Sequence, residues 1–219
     1  MGLREQVAHL AATRKEQGWS EAARTMLAGI RYRGESRKIL FALSHPRPLP
    51  DAIEAARTHR FKFATPEDLE SLLPTPAYMI APVDVERVRN GIARCMLQQD
   101  GDHLVGYAWI WTSRLAYIED GVHLNLPDDM IYNYKAYTNP DYRGYGYQAL
   151  RHLNLLALTR DEGVRRLFGF VDQFNSKSLH GVRKSGYVPV GTLRIRRRGD
   201  RVRMIVDVEK DFWSNKART

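Results

Sequence analysis

The stretch Tyr137-Thr138-Asn139-Pro140-Asp141-Tyr142-Arg143-Gly144-Tyr145-Gly146-Tyr147-Gln148-Ala149-Leu150 decides how this chain reads. It begins at the end of a tyrosine-rich, β-prone run over 131–138, turns at Pro140, passes two glycines and enters a helical pattern that runs to Glu162 and closes at Gly163. Glycine lets backbone N–H groups approach an anion with no Cβ in the way. A helix N-terminus adds aligned donors and a partial positive charge, and Arg143 adds a full one. Such a loop suits a diphosphate. A bare Gly-x-Gly is also what an ordinary turn looks like, so its meaning depends on what surrounds it.

Downstream, Arg166 to Val171 reads as a strand. Asn175-Ser176-Lys177-Ser178-Leu179 then starts a helix that Lys184-Ser185-Gly186-Tyr187 ends. Asn175 suits an N-cap and Gly186 a C-terminal stop. Two strands follow, Tyr187–Arg196 and Arg201–Val208, joined at Gly199-Asp200. Upstream, Arg60-Phe61-Lys62-Phe63 alternates as a strand, and Thr65-Pro66-Glu67-Asp68 carries an N-cap, a proline at the first helical position and acids in the first turn. Val85 to Leu97 reads as helix passing into strand, Asp100-Gly101 as a tight turn, and His103 to Trp111 as a strand. Leu115 to Met130 is expected to be a strand fragment plus a mobile loop. This order predicts an α/β chain with a mixed sheet flanked by helices.

Residues 1–58 read as a separate unit, a helical N-terminal extension and proline-rich linker, with 59–219 as the main domain. Leu3, Val7, Leu10 and Ala11, then Ala23, Met26, Leu27 and Ile30, recur at helical spacing. Lys38 to Leu43 looks like a short strand. His45-Pro46-Arg47-Pro48-Leu49-Pro50 is expected to be an extended linker, because proline deletes a donor and fixes φ. The helix pair is expected to pack on the core. A contact of residues 3–38 with an anionic membrane surface and a homodimer interface are the alternatives.

The loop resembles the signature of the GNAT acyltransferase superfamily, in which a strand runs through an Arg-x-x-Gly-x-Gly/Ala loop into a helix and the loop amides hold the CoA pyrophosphate. Arg143, Gly144, Tyr145, Gly146 and Tyr147 fit that run, while Gln148 stands where Gly or Ala is usual. The element from Asn175 and Ser178 to Lys184-Ser185-Gly186-Tyr187 resembles the superfamily's Asn-x-x-Ala/Ser … Lys-x-Gly-Phe element, and the likeness spans about residues 60–208. It implies a central, mostly antiparallel mixed sheet and an acyl-CoA donor, acetyl-CoA or another. It implies cofactor contacts at Thr138, Asn139 and Arg143 to Gln148, with Asn175 near the pantetheine and Ser178 near the pyrophosphate. It also implies that the backbone amide of Thr138 polarises the thioester.

Acyl transfer to an amine needs a base and an oxyanion donor. The strand positions where the superfamily often places a base hold Tyr132 and Tyr134, on one face by alternation. His123, with Glu119, Asp120, Asp128 and Asp129 nearby in sequence, is the other candidate. The superfamily's usual acid, a tyrosine seven residues after the Asn, is replaced by Val182. The activity so implied is an N-acetyltransferase acting on a small amine in a ternary complex. The departures at Gln148 and Val182, with the basic extension, resemble acyltransferases of cell-envelope glycan or secondary-metabolite pathways, whose acceptor would be an amino sugar. A CoA-binding sensor that has lost catalysis is the first alternative, and a basic nucleic-acid-binding protein, on the net charge of +9, the second.

Composition fits and limits these readings. The formal net charge is +9, which suits a polyanionic partner, whether cofactor, lipid or nucleic acid. No nucleic-acid motif is present, and no nucleic-acid partner is expected. Arg194, Arg196 and Arg198 read as charge blunting an edge strand. Cys95 is the single cysteine, expected to be buried packing, and no histidine spacing argues for a metal. No apolar run approaches the ~18 residues of a membrane span, Met1 to Ala12 lacks a signal-peptide pattern, and the expected location is the cytoplasm.

Overall fold

The computed structural model describes residues 35–119, 121–199 and 201–208. The two helices expected within 3–30, and Asp120 and Asp200, lie outside these. The strands are β1 (Glu35–Leu43), β2 (Arg60–Phe63), β3 (Ala93–Asp100), β4 (His103–Trp111), β5 (Leu115–Glu119), β6 (Val122–Asn125), β7 (Met130–Thr138), β8 (Arg166–Asp172), β9 (Val188–Arg198) and β10 (Arg201–Val208). The helices are α1 (Pro50–Ala55), α2 (Pro66–Glu70), α3 (Pro82–Arg89), α4 (Tyr147–Leu158) and α5 (Ser176–Lys184). Eight strands make one sheet in the order β10-β9-β1-β8-β7-β4-β3-β2, and β5 pairs with β6 apart from it. Every pair in the large sheet is antiparallel except β7–β8.

Side chains alternate across the sheet and sort the core into layers. On β1, Leu40 and Ala42 face the β5–β6 hairpin, whose Ala116, Ile118, Val122 and Leu124 cover that side. Phe41 and Leu43 face the opposite way, with Leu155 of α4 and Tyr187 beyond α5. Cys95, Leu97, Tyr107 and Trp109 pack against Leu69 of α2 and Val85 of α3. Cys95 is fully buried, and burial pushes its thiol well up, so packing is its role.

β1, from the part of the chain before residue 58, lies inside the sheet, antiparallel to both β8 and β9. Three expectations change. The 115–130 segment holds a paired hairpin, and Ala116, Ile118, Val122, Leu124 and Leu126 from it are buried in the core. β9 is not an edge strand. β10 covers it, and Arg196 and Arg197 are ion-paired with Glu35 and Glu119. The linker is extended only as far as Leu49. Pro50 opens α1, where a missing N–H costs nothing.

Two irregularities shape the middle of the sheet. β7 and β8 pair only at Met130–Arg166, Ile131–Leu167 and Tyr132–Phe168, although both strands continue beyond. After that point they part. On the other side of β7, Trp109 pairs with Lys135 and Ile110 with Asn133, so Tyr134 is the extra residue of a bulge. The bulge resets the alternation. Tyr132 packs toward the β5–β6 hairpin and Tyr134, Lys135 and Tyr137 toward α2 and α3, while Asn133 and Thr138 face α4.

Candidate functional site

A cavity of ≈ 510 Å³ opens where β7 and β8 part. Its walls are Asn133 to Thr138 of β7, Gly169 to Val171 of β8, Tyr142 to Gly144 of the loop, Gly146 to Ala149 with Arg151 and His152 at the start of α4, and Lys177, Ser178, Gly181, Val182 and Lys184 of α5. Arg47 and Leu49 close a further side. Among these residues are six cations (Arg47, Lys135, Arg143, Arg151, Lys177, Lys184) and no carboxylate. Lys135 is ion-paired to Asp84 at 3.0 Å, so its charge is already answered.

The loop at the mouth is built from local sequence. Asn139 Oδ1 accepts from Asp141 N–H and caps a single 3-10 turn at Pro140–Tyr142. Asn139 Nδ2 donates to Leu104 O, tying that turn to β4. Gly144 and Gly146 then take φ of 92° and 79°, in the left-handed region that favours glycine, and Gly146 becomes the N-cap of α4. The backbone N–H groups of Gly144 to Gln148 have no acceptor among the described residues. Asn139 N–H donates to Val105 O on β4. Because N–H groups alternate sides along a strand, the N–H of Thr138 points the other way, into the gap left by β8.

Beneath the loop lies a buried polar cluster. Arg151, one turn into α4, is fully buried. It donates to Gln98 Oε1 at 2.9 Å and to Thr138 Oγ1, and it has no carboxylate partner. Burial pulls its guanidinium down to about 9. Gly106 makes this possible: a Cβ there would stand 2.4 Å from Tyr137 O and 2.5 Å from Arg151 Nη1. Beside it, Asn133 Nδ2 lies 3.0 Å from His152 Nε2 and donates to Tyr187 Oη at 3.1 Å. Burial, with the charge on Arg151, takes His152 down to about 3, so its ring is neutral at physiological pH.

The structure gathers most of the expected cofactor residues. Thr138, Arg143, Gly144, Gly146, Tyr147, Gln148 and Ser178 line the cavity. Asn139 and Asn175 do not: each spends its side chain on a turn or cap, Asn175 Oδ1 accepting from Ser178 N–H at 3.0 Å. Tyr145 points outward and stacks on Tyr147.

The expected catalytic residues fare unevenly. Tyr134 lines the cavity, and burial raises its phenol, which leaves even less phenolate at neutral pH than a free tyrosine has. Tyr132 lies outside the cavity, stacked on Phe170 in the core, with its phenol also raised by burial. His123 is remote, exposed on β6 against Tyr117. Its expected acidic companions serve elsewhere: Glu119 pairs with Lys38 and Arg197, Asp128 with Arg114, and Asp129 with Arg166. Arg151, Asn133, His152 and Arg47 were not foreseen. The available signal for Arg151 is its place on the apolar stripe of α4 with Tyr147, Leu150 and Leu155, all buried. No group of described residues could hold a metal ion, and no described helix is long and apolar enough to cross a membrane.

No family model matches the chain, and no curated protein matches it. Solved structures do. The chain is similar to an aminoglycoside acetyltransferase from an uncultured soil metagenomic sample, in complex with sisomicin, at 12% identity and TM-score 0.46, over 61% of this chain and 90% of that one. It is similar to a GCN5-related N-acetyltransferase-like protein from Streptococcus suis at 16% identity and TM-score 0.44, over 89% and 69%. It is also similar to an aminoglycoside N-acetyltransferase in complex with CoA, at 13% identity and TM-score 0.47, over 66% and 98%.

Proposed function

We propose that this chain is an acyl-CoA-dependent acyltransferase that moves an acyl group, acetyl in the first instance, onto a small amine. One observation carries the reading: a cavity between two parting parallel strands whose mouth presents five acceptor-free backbone amides and unpaired cations, with no carboxylate in the lining. That donor set fits a diphosphate at the Gly144–Gln148 amides and Arg143. The gap between β7 and β8 gives an extended acyl-bearing arm a path into the sheet. At its inner end the N–H of Thr138 is available to an oxyanion.

In this reading the amine nitrogen attacks the thioester carbonyl, the oxyanion is held at Thr138 N–H, and collapse expels the thiolate. No lining residue is a ready base. Tyr134 is raised, His152 is lowered, and Val182 stands where the superfamily's acid is usual. The acceptor therefore arrives as the neutral amine, and its proton leaves to solvent. Tyr134, Met79 and Phe170, on the side away from α4, suit the face of an amino sugar. A cytoplasmic location goes with an acyl-CoA donor.

The missing base and acid favour a second reading, a CoA-binding module without turnover. Incubating the protein with acetyl-CoA and a panel of amines and amino sugars, and following thiol release, separates the two. Release with at least one acceptor supports the transferase. Saturable CoA binding with no release on any acceptor supports the module.

A further inference from the structure

The diphosphate accounts for the loop amides and Arg143, but not for the remaining charge at the cavity mouth. Arg47, Lys177 and Lys184 line the same space, and none has a carboxylate partner among the described residues. Arg47 comes from a part of the chain that the loop's own signature does not include. It lies on a strap, residues 45–49, that leaves β1 and crosses from the end of α5 to the start of α4. Arg47 N–H donates to Ser185 O at 3.3 Å.

The strap is fitted against glycine at both ends. A Cβ on Gly186 would stand 2.9 Å from His45 O and 3.3 Å from Arg47 Cγ. A Cβ on Gly146 would stand 3.1 Å from Leu49 Cδ1. Pro46 and Pro48 flank Arg47 and restrict the backbone on either side, so little backbone freedom remains to be lost when a ligand engages it. A guanidinium with no carboxylate partner, set at the end of α5 in the same lining as Lys184, calls for a second anionic group on the ligand.

We propose that the strap is a wall of the ligand site and that Arg47, with Lys184 of the same lining, recognises a ribose 3′-phosphomonoester, making the protein selective for coenzyme A over dephospho-coenzyme A. This rests on the acyl-CoA reading. A phosphomonoester carries roughly −1.5 to −2 charges near neutral pH, and a guanidinium can meet it with two parallel hydrogen bonds.

Calorimetric titration of the wild type, Arg47→Gln and Arg143→Gln with coenzyme A and with dephospho-coenzyme A tests this. The wild type should prefer coenzyme A by roughly 10- to 100-fold, the range of one charged hydrogen-bonded contact. Arg47→Gln should reduce the preference to about 3-fold or less while changing dephospho-coenzyme A affinity by less than about 2-fold. Arg143→Gln should weaken both ligands by the same factor. Equal weakening of both ligands by Arg47→Gln, or no preference in the wild type, overturns the assignment alone. Failure of either ligand to bind the wild type overturns the acyl-CoA reading, and the Arg47 assignment with it. Arg47 is exposed, so an unchanged Tm is expected for the variant. A fall in Tm for Arg47→Gln and Arg47→Lys alike would reassign the residue to holding the strap and overturn the proposal.

Discussion

Gly106 couples the sheet to the site, and adding one methyl group there should damage both. The Cβ of Gly106→Ala would stand 2.4 Å from a backbone oxygen of β7 and 2.5 and 2.9 Å from two atoms of the Arg151 guanidinium. Ordinary heavy-atom contacts lie near 3.5 Å, so about 1 Å of movement is needed. β7 is held between its neighbours, and Arg151 is fully buried between Gln98 and Thr138. Overpacking costs roughly 1–3 kcal/mol, and loss of a hydrogen bond from a charged group roughly 1.5–3 kcal/mol. A total of about 3 kcal/mol lowers Tm by roughly 6–12 °C in a chain of this size. Gly191→Ala is the control. Its Cβ would stand 2.3 Å from Asp207 O, but on β10, an edge strand with room to shift. Thermal unfolding and CoA titration of both variants give the comparison. Gly106→Ala should be the less stable and should bind CoA at least ~10-fold more weakly, whereas Gly191→Ala should bind normally. Equal stability, with unaltered CoA affinity in Gly106→Ala, would refute the placement of Arg151.

Three further outcomes follow from the same geometry. His152 has a folded-state value of about 3 against 6.5 when unfolded. Its neutral form is the one the fold accepts, so its contribution is intact above pH 6.5 and is lost as pH falls toward 3. Between pH 6.5 and 4.5 that loss is about 2 kcal/mol, and His152→Leu should flatten the denaturant-measured stability curve by that amount over this range. The buried carboxylate of Asp84 accepts from Ala81 N–H, Arg87 and Lys135. Asp84→Ala removes the carboxylate these groups share and should cost about 3 kcal/mol in urea denaturation. With no ready base in the lining, kcat/KM for acyl transfer should rise tenfold per pH unit up to the pKa of the acceptor amine. A plateau near pH 6 with a high-pKa acceptor would reveal an enzymic base.

What could be read from sequence was what is local. The turn at Pro140, the left-handed glycines and the start of α4 are fixed by residues within ten positions of one another, as is the capping box in which Thr65 and Asp68 exchange bonds at the head of α2. Long-range pairing was hidden. Nothing in Glu35–Leu43 states that it will lie between β8 and β9 rather than at a sheet edge. Arg151 and His152 look like the polar residues of any helix, and only the glycine opposite, in an otherwise bulky strand, hints that something large fills the space. The bulge at Tyr134 also escapes a period-two reading, and it is what turns Asn133 toward α4.

The central claim is that the Arg143–Gln148 loop holds the diphosphate of an acyl-CoA, and calorimetric titration with coenzyme A tests it most directly. Gly146 is a poor probe, because its left-handed φ and the contact with Leu49 mean that any side chain there also strains the fold. Arg143 is exposed, and its recorded bond is from Nε to Thr138 O, so Arg143→Glu reverses the charge with little cost to folding. The account predicts one saturable CoA site in the wild type and affinity at least ~100-fold weaker in Arg143→Glu at unchanged Tm. Equal CoA affinity in the two proteins would contradict it.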